Sequence, residues 1–360
     1  MKYAHGGNLV KASHAYNLPP EKFLDFSANV NPFGPSEAAL DAILGRLDQI
    51  RWYPDPDSGE LREALGRYLE VEPCNIVPGN GANELIHLIV RAFKPTMSLV
   101  LAPTFSEYGR AVEIEGGSLV WFRMHDFNGF LPDMSLLASQ LDGFDLVFIC
   151  NPNNPSGALI PRKQLLAFLD EAAARGVIVV VDEAFIDFVK YPESATLRRE
   201  AVSRDNLIIL GSLTKFFALP GLRLGYAVCC EELANRVREV KDPWSVNCLA
   251  QAAAIGSIND SSYIKKVRAW IEVEREFMFR GLSDISNLKV YPPSANYILV
   301  DLRASSLTAK TLQDVLGPKG ILIRDCGNYR FLDEYYARFA VRTREENTIL
   351  LENLEAILRL

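Results

Sequence analysis

Lys215 lies in the apolar stretch SLTKFFALPGLRLGY, residues 212–226. An ammonium ion buried among apolar side chains is costly, and a desolvated lysine tends to lose its proton instead. The neutral amine is a nucleophile toward carbonyls. Other residues suggest what it would act on. Asn151 and Asn154 follow an apolar run in CNPNNPSG, Asp182 and Glu183 close the run 177–181, and Ser212 and Thr214 stand just ahead of Lys215. The turn GNGAN, 79–83, places Gly81, Ala82 and Asn83 where a helical pattern opens, so backbone N–H groups are available to an anion. Ser212 and Arg223 add further phosphate donors. Taken singly, each of these is an ordinary turn or helix-cap residue. Together they suit a ligand with an aldehyde at one end and a phosphate at the other.

The elements that must hold these residues in one crevice can be read from the apolar pattern. Runs at 98–103, 146–152, 177–185, 206–211 and 223–228 read as strands, and 83–94 and 162–176 read as helices. Continuous apolar strands separated by helices imply an α/β fold with a mostly parallel sheet covered on both faces. Such sheets gather ligands at the carboxyl ends of their strands, where Asn154, Asp182 and Lys215 fall. We expect residues 36–245 to form this large domain. Residues 246–360 read as a smaller α+β domain, with helices to about 282, strands at 289–302, 320–325 and 338–343, and a terminal helix. Residues 1–35, rich in Gly, Asn and Pro, read as an extended arm that completes it.

Composition narrows the function further. The chain has 360 residues, 49% hydrophobic and 23% charged, with a net charge of -7, which argues against nucleic acid as the main partner. No apolar run is long enough to span a membrane, and the first residues lack the apolar core of a signal peptide, so a cytoplasmic protein is expected. The six cysteines form no C-x-x-C pair and the four histidines no H-x-x-x-H spacing, so no metal site is expected.

The motifs NPNNPSG, DEAF, SLTK and GLRLGY, in this order, resemble those of pyridoxal 5'-phosphate enzymes of the aspartate-aminotransferase fold, also called fold type I. The resemblance covers nearly the whole chain. It implies that Lys215 carries the cofactor covalently and that Asp182 pairs with the pyridinium nitrogen and keeps it protonated. It implies that Asn154 donates to the ring O3′ and also meets substrate, and that Gly81, Ala82, Asn83, Ser212, Thr214 and Arg223 surround the phosphate. Phe105 in PTFSEY stands where the family places a ring-stacking aromatic, with Tyr108 a second candidate. Tyr53 in RWYPDPD resembles a tyrosine that reaches the phosphate across a homodimer interface, and Arg338 in RFAVRT resembles the arginine that grips the substrate α-carboxylate.

Within this fold, AHGGN, LDFSANVNP, GNGANE, FSEYGRA, PWSVN, ANYILV and ILIRDCGNY are most similar to the threonine-phosphate decarboxylases of cobalamin biosynthesis. Histidinol-phosphate aminotransferases share many of these motifs. Both kinds act on amino compounds that carry a phosphate. The resemblance assigns that phosphate to Arg324, His5, Gly6 and Asn29. Two departures bear on the choice. Phe185 stands where many aminotransferases have a tyrosine, and Arg342 replaces a glycine common in histidinol-phosphate aminotransferases. A second cation beside Arg338 would suit a substrate with both a carboxylate and a phosphate. A non-catalytic, cofactor-binding regulator is a remote alternative. Such proteins usually carry a DNA-binding domain, for which this acidic chain leaves no room.

Overall fold

The computed structural model describes residues 6–358. Among these, strand β1 (Leu24–Asp25) lies in the N-terminal arm. Strands β2 (Ile76–Gly79), β3 (Met97–Ala102), β4 (Ser118–Arg123), β5 (Leu146–Cys150), β6 (Ile178–Asp182), β7 (Leu207–Ser212) and β8 (Gly225–Val228) make one seven-stranded sheet. Their order is β2-β8-β7-β6-β5-β3-β4, and all pairings are parallel except those of β8. The central strands are apolar on both faces, and β5 and β7 are buried at every position. That burial is what a sheet covered by helices on both sides requires. Two of those helices, Ala82–Phe93 and Arg162–Ala174, fall where the 3.6-residue pattern places them. The sheet thus has the α/β, mostly parallel character expected. The strand at 223–228, however, runs antiparallel to both neighbours.

Four short strands form a second sheet: β9 (Lys289–Val290), β10 (Tyr297–Asp301), β12 (Arg324–Asp325) and β13 (Tyr336–Ala340), all antiparallel. Strand β11 (Ile321–Leu322) leaves this sheet and pairs in parallel with β1 of the arm. The run at 320–325 is therefore two strands in two sheets, divided at Ile323. The arm is further tied down where the Phe26 N–H donates to Leu322 O (2.8 Å) and the Ala340 N–H donates to Phe26 O (2.9 Å). It is not wholly extended, because Asn8 caps a helix over Leu9–Tyr16 by accepting from the Lys11 N–H. Two long helices, Ser261–Ser283 and Arg344–Leu358, pack together beside the smaller sheet; their buried residues include Val267, Ile271, Met278, Leu350 and Leu354. Among the described residues no helix is long and apolar enough to cross a membrane.

Candidate active site

Strands β5, β6 and β7 are adjacent and parallel, so the chain that leaves each emerges on the same edge of the sheet. Asn154 lies in the loop after β5, Asp182 is the last residue of β6, and Lys215 lies one short turn beyond β7. The Asn151 N–H donates to Asp182 O and the Glu183 N–H to Leu210 O, both at 2.8 Å, which continues the ladder to the point where the loops diverge. All three side chains line one cavity of about 450 Å³.

Antiparallel β8 begins on this same edge. Its first residue, Gly225, is the register partner of both Gly79, the last residue of β2, and Ser212, the last of β7. A Cβ on Gly225 would lie 2.4 Å from the Ala82 nitrogen, so glycine is needed for the helix Ala82–Phe93 to start here. Gly81 caps that helix at φ +81°, and a Cβ on it would fall 2.6 Å from Nη2 of Arg223. The helix N-terminus and the Arg223 guanidinium therefore meet at one spot. Ala82, Asn83, Ser212, Thr214 and Arg223 all line the cavity, and the hydroxyls of Ser212 and Thr214 are 2.8 Å apart. Arg223 itself holds a left-handed backbone conformation, φ 59°, of the kind often found at functional positions.

The two titratable groups nearest the sheet are both displaced from their ordinary behaviour. Asp182 is buried and its pKa is raised by desolvation; an opposing, lowering influence comes from the Tyr108 hydroxyl, which donates to Oδ2 at 2.6 Å. The Ala184 N–H donates to Oδ1 at 2.9 Å. Lys215 keeps part of its surface open to the cavity, yet its amine is enclosed by protein. Desolvation, with the Arg223 and Arg338 charges, lowers its pKa to about 8. This lysine is thus far more readily a free base than an exposed one.

The opposite wall comes from the small sheet and the arm. Arg324 on β12 and Arg338 on β13 are direct register partners, both are buried, and both line the cavity. Arg338 donates through Nη2 to Ser27 O of the arm (2.9 Å) and through Nη1 to Asn154 Oδ1. Arg324 donates through Nη2 to Asn328 Oδ1 at 2.7 Å. Gly6 and Asn29 of the arm also line the cavity, and a Cβ on Gly6 would lie 2.2 Å from Ser27 O.

Of the expected residues, Arg342 and Tyr108 stand differently. Arg342 does not line the cavity. Its Nη1 donates to Asp25 O (3.1 Å) and its Nη2 to Glu346 Oε1 (2.8 Å), because β13 ends at Ala340 and the chain turns away toward the terminal helix. Tyr53 is 81% exposed and lies outside the cavity, with its ring 4.8 Å from that of Trp244. Tyr108 lines the cavity, but its ring stacks on Phe148 (5.1 Å, 10°), while Phe105 presents a separate aromatic wall. His5 lies outside the described residues. The cavity also holds residues that the sequence reading did not single out. Tyr329 lies within the quoted ILIRDCGNY, and Glu107 within FSEYGRA. Glu107 is buried, with Oε2 3.3 Å from Arg110 Nη1. Glu107 opens the helix Glu107–Ile114 and Tyr329 lies in the loop after β12, and neither position carries a sequence mark that would have flagged it.

The sequence profile of the family described as Aminotransferase class I and II matches residues 21–354, and the chain belongs to that family. It is a pyridoxal-phosphate enzyme with the aspartate-aminotransferase-like fold. Among its relatives, the threonine-phosphate decarboxylase of Salmonella typhimurium (strain LT2) is 36% identical over 99% of this chain and 96% of its own. The crystal structure of L-threonine-O-3-phosphate decarboxylase from Porphyromonas gingivalis is similar with a TM-score of 0.82 and 28% identity, over 93% of this chain and 98% of the other. That of histidinol-phosphate aminotransferase from Clostridium acetobutylicum gives 0.87 and 32%, over the same shares. The cavity suits the cofactor on chemical grounds. A buried carboxylate matches a pyridinium, an enclosed amine matches an aldehyde, and a helix N-terminus with Arg223 and two hydroxyls matches a phosphate.

Proposed function

We propose that the protein decarboxylates L-threonine O-3-phosphate to (R)-1-aminopropan-2-yl phosphate, the amino-alcohol phosphate used in the cobalamin nucleotide loop, and that L-serine O-phosphate is a second substrate. The observation that carries this reading is the pair Arg324 and Arg338, buried side by side in the cavity that holds Lys215. Two guanidinium groups at fixed spacing suit a small substrate with two anionic ends. Support also comes from the full-length similarity to a threonine-phosphate decarboxylase.

In this reading Arg338 takes the α-carboxylate, and Arg324, with Gly6, His5 and Asn29 of the arm, takes the phosphate. When bound, pyridoxal phosphate supplies an electron sink for the pair left on Cα as CO₂ departs. Lys215 would hold the cofactor and, once released from it and protonated, would give a proton to Cα. Asp182 holds the proton on the ring nitrogen. Asn154 donates to the ring oxygen. Arg338 and Arg324 together would hold the substrate's two anionic ends and so orient the Cα–carboxylate bond for cleavage, and such orientation is a large part of the barrier reduction. Six free thiols suit a reducing, cytoplasmic setting. A homodimer would bring Tyr53, with the exposed residues Leu44, Ile50 and Trp52 that precede it in the chain, against a second copy. Tyr53 would there reach the cofactor phosphate of that copy.

The similarity to the Clostridium acetobutylicum enzyme favours a second reading, histidinol-phosphate aminotransferase. End-point product analysis separates the two. Purified protein with cofactor is given O-phosphothreonine, O-phosphoserine, or histidinol phosphate with 2-oxoglutarate. Release of CO₂ with an amino-alcohol phosphate is expected. Glutamate formed from histidinol phosphate without CO₂ would move the protein to the second reading, and no turnover of any substrate would leave only a cofactor-binding regulator.

A further inference from the structure

Arg324 and Arg338 pose an electrostatic problem. Like charges directly opposite each other on neighbouring strands repel, and these two are buried at 8% and 5% exposure. Among the described residues Tyr329 touches both. The loop after β12 folds back through the Tyr329 N–H to Cys326 O bond (3.0 Å) and the Leu332 N–H to Tyr329 O bond (3.1 Å), which sets Tyr329 over the strand pair. The Tyr329 ring lies under the Arg324 guanidinium, 5.2 Å from its central carbon. The Tyr329 hydroxyl donates to Asn154 Oδ1 at 3.2 Å and accepts from Arg338 Nη1 at 3.4 Å.

We propose that Tyr329 is a positioning residue with two separable parts, a ring that seats Arg324 for the substrate phosphate and a hydroxyl that orients Asn154 and Arg338 for the carboxylate and the cofactor. This rests on the substrate reading given above. The hydroxyl matters because Asn154 Oδ1 then accepts from both Tyr329 and Arg338. That fixes the amide, and the two N–H bonds of Nδ2 are what it offers the cavity. The ring matters because its face holds the Arg324 guanidinium in place through a cation–π contact. Tyr297, whose ring lies 5.2 Å from Arg338, cannot replace Tyr329, because its hydroxyl is already given to Asn153 O at 2.9 Å.

Two substitutions in the holoenzyme separate the parts. Tyr329→Phe keeps the ring. It should lower kcat about ten- to a hundredfold through misplaced reacting groups, while the inhibition constant of inorganic phosphate stays at the wild-type value. It should also move the pH midpoint of the bound cofactor's absorbance upward, because Asn154 then stabilises the deprotonated ring oxygen less well. Tyr329→Leu removes both parts and should in addition weaken phosphate inhibition about two- to fivefold. The proposal is overturned if Tyr329→Phe matches wild type in kcat and absorbance midpoint. It is equally overturned if Phe and Leu weaken phosphate inhibition alike, the mark of a packing role. Tyr329→Phe is nearly isosteric, so it keeps the test readable should the leucine variant fold poorly. Turnover is followed on whichever substrate the wild type consumes. An aminotransferase result would therefore refute the substrate reading while the phosphate and absorbance readouts still judge Tyr329.

Discussion

Lys215, Asp182 and Asn154 stand at or just beyond the ends of three parallel strands, whereas Arg324 and Arg338 stand within two antiparallel ones. The first arrangement places polar groups where the ladder has stopped and apolar strands still surround them. Their pKa values shift accordingly, Lys215 down to about 8 and Asp182 upward. The second arrangement fixes two charges at the spacing of a strand pair, with the arm's Ser27 carbonyl and Asn328 as partners. Under the proposed function, one wall would set reactivity and the other pose. Asn154 spans the gap, since it belongs to the first wall by sequence and to the second by its bond to Arg338.

This division is most sharply tested by unequal losses. Lys215→Ala should lower turnover by about ten-thousandfold or more, because it removes both the attachment point and the proton carrier. Single-turnover assays would show it, and a loss under tenfold would mean that the first wall does not hold the chemistry. Arg338→Lys and Arg324→Lys should be milder, each reducing kcat/KM by about ten- to a thousandfold through loss of bidentate geometry. The split between them is the informative part. Arg324→Lys should act mainly on KM and on phosphate inhibition, and Arg338→Lys mainly on kcat. If both changes raised KM alone, the second wall would bind substrate without orienting it.

The two walls also differ in how far the sequence revealed them. Strands that end in Asn, Asp-Glu or Ser-x-Thr-Lys carry their own signal, because apolar runs stop at polar groups that a parallel sheet gathers on one edge. Nothing in RFAVRT or ILIRD marks Arg338 and Arg324 as anything but the outward residues of alternating strands; only the resemblance to a family singled them out. Their burial follows from pairings that the sequence does not announce. Strand β11 turns to β1 of the arm, β12 to β13, and the change occurs within the six residues 320–325. Strands β2 and β4 went unread because β2 contains Pro78 and Gly79, and β4 alternates in burial at the sheet edge. Arg342 lies off this cavity for a related reason, since the residue at which a strand ends decides which way the next side chain faces.

A smaller effect would show that the second wall tunes the first. Arg338 is one of the charges that hold the Lys215 pKa low. Only the free base of a lysine attacks an aldehyde, and that form is populated above its pKa. The rate at which cofactor-free protein takes up pyridoxal phosphate should therefore rise with pH and level off above about 8. In Arg338→Gln the inflection should move to higher pH, because a cation that disfavoured the ammonium form has gone. Stopped-flow absorbance across this range measures both. An unmoved inflection would mean that burial and the Arg223 charge set the amine, and that the walls act independently.

The least effect on activity is expected at Arg342, and it separates the geometry from the family pattern. If Arg342 were a second substrate cation, Arg342→Met would raise KM by tenfold or more, as the loss of a charged partner does, by about 2 kcal/mol. In the fold it instead ties the arm at Asp25 to the terminal helix at Glu346. Methionine keeps the packing against Phe26, whose ring centre lies 5.8 Å from the guanidinium carbon, and removes only the polar ties. Urea unfolding should then show a loss of about 1–3 kcal/mol, with KM changed less than about threefold. The residual change in KM would come from the arm, because Ser27, two residues beyond Asp25, holds Arg338 through its carbonyl. A large KM effect with unchanged stability would return Arg342 to the cavity and make the second wall a three-arginine surface.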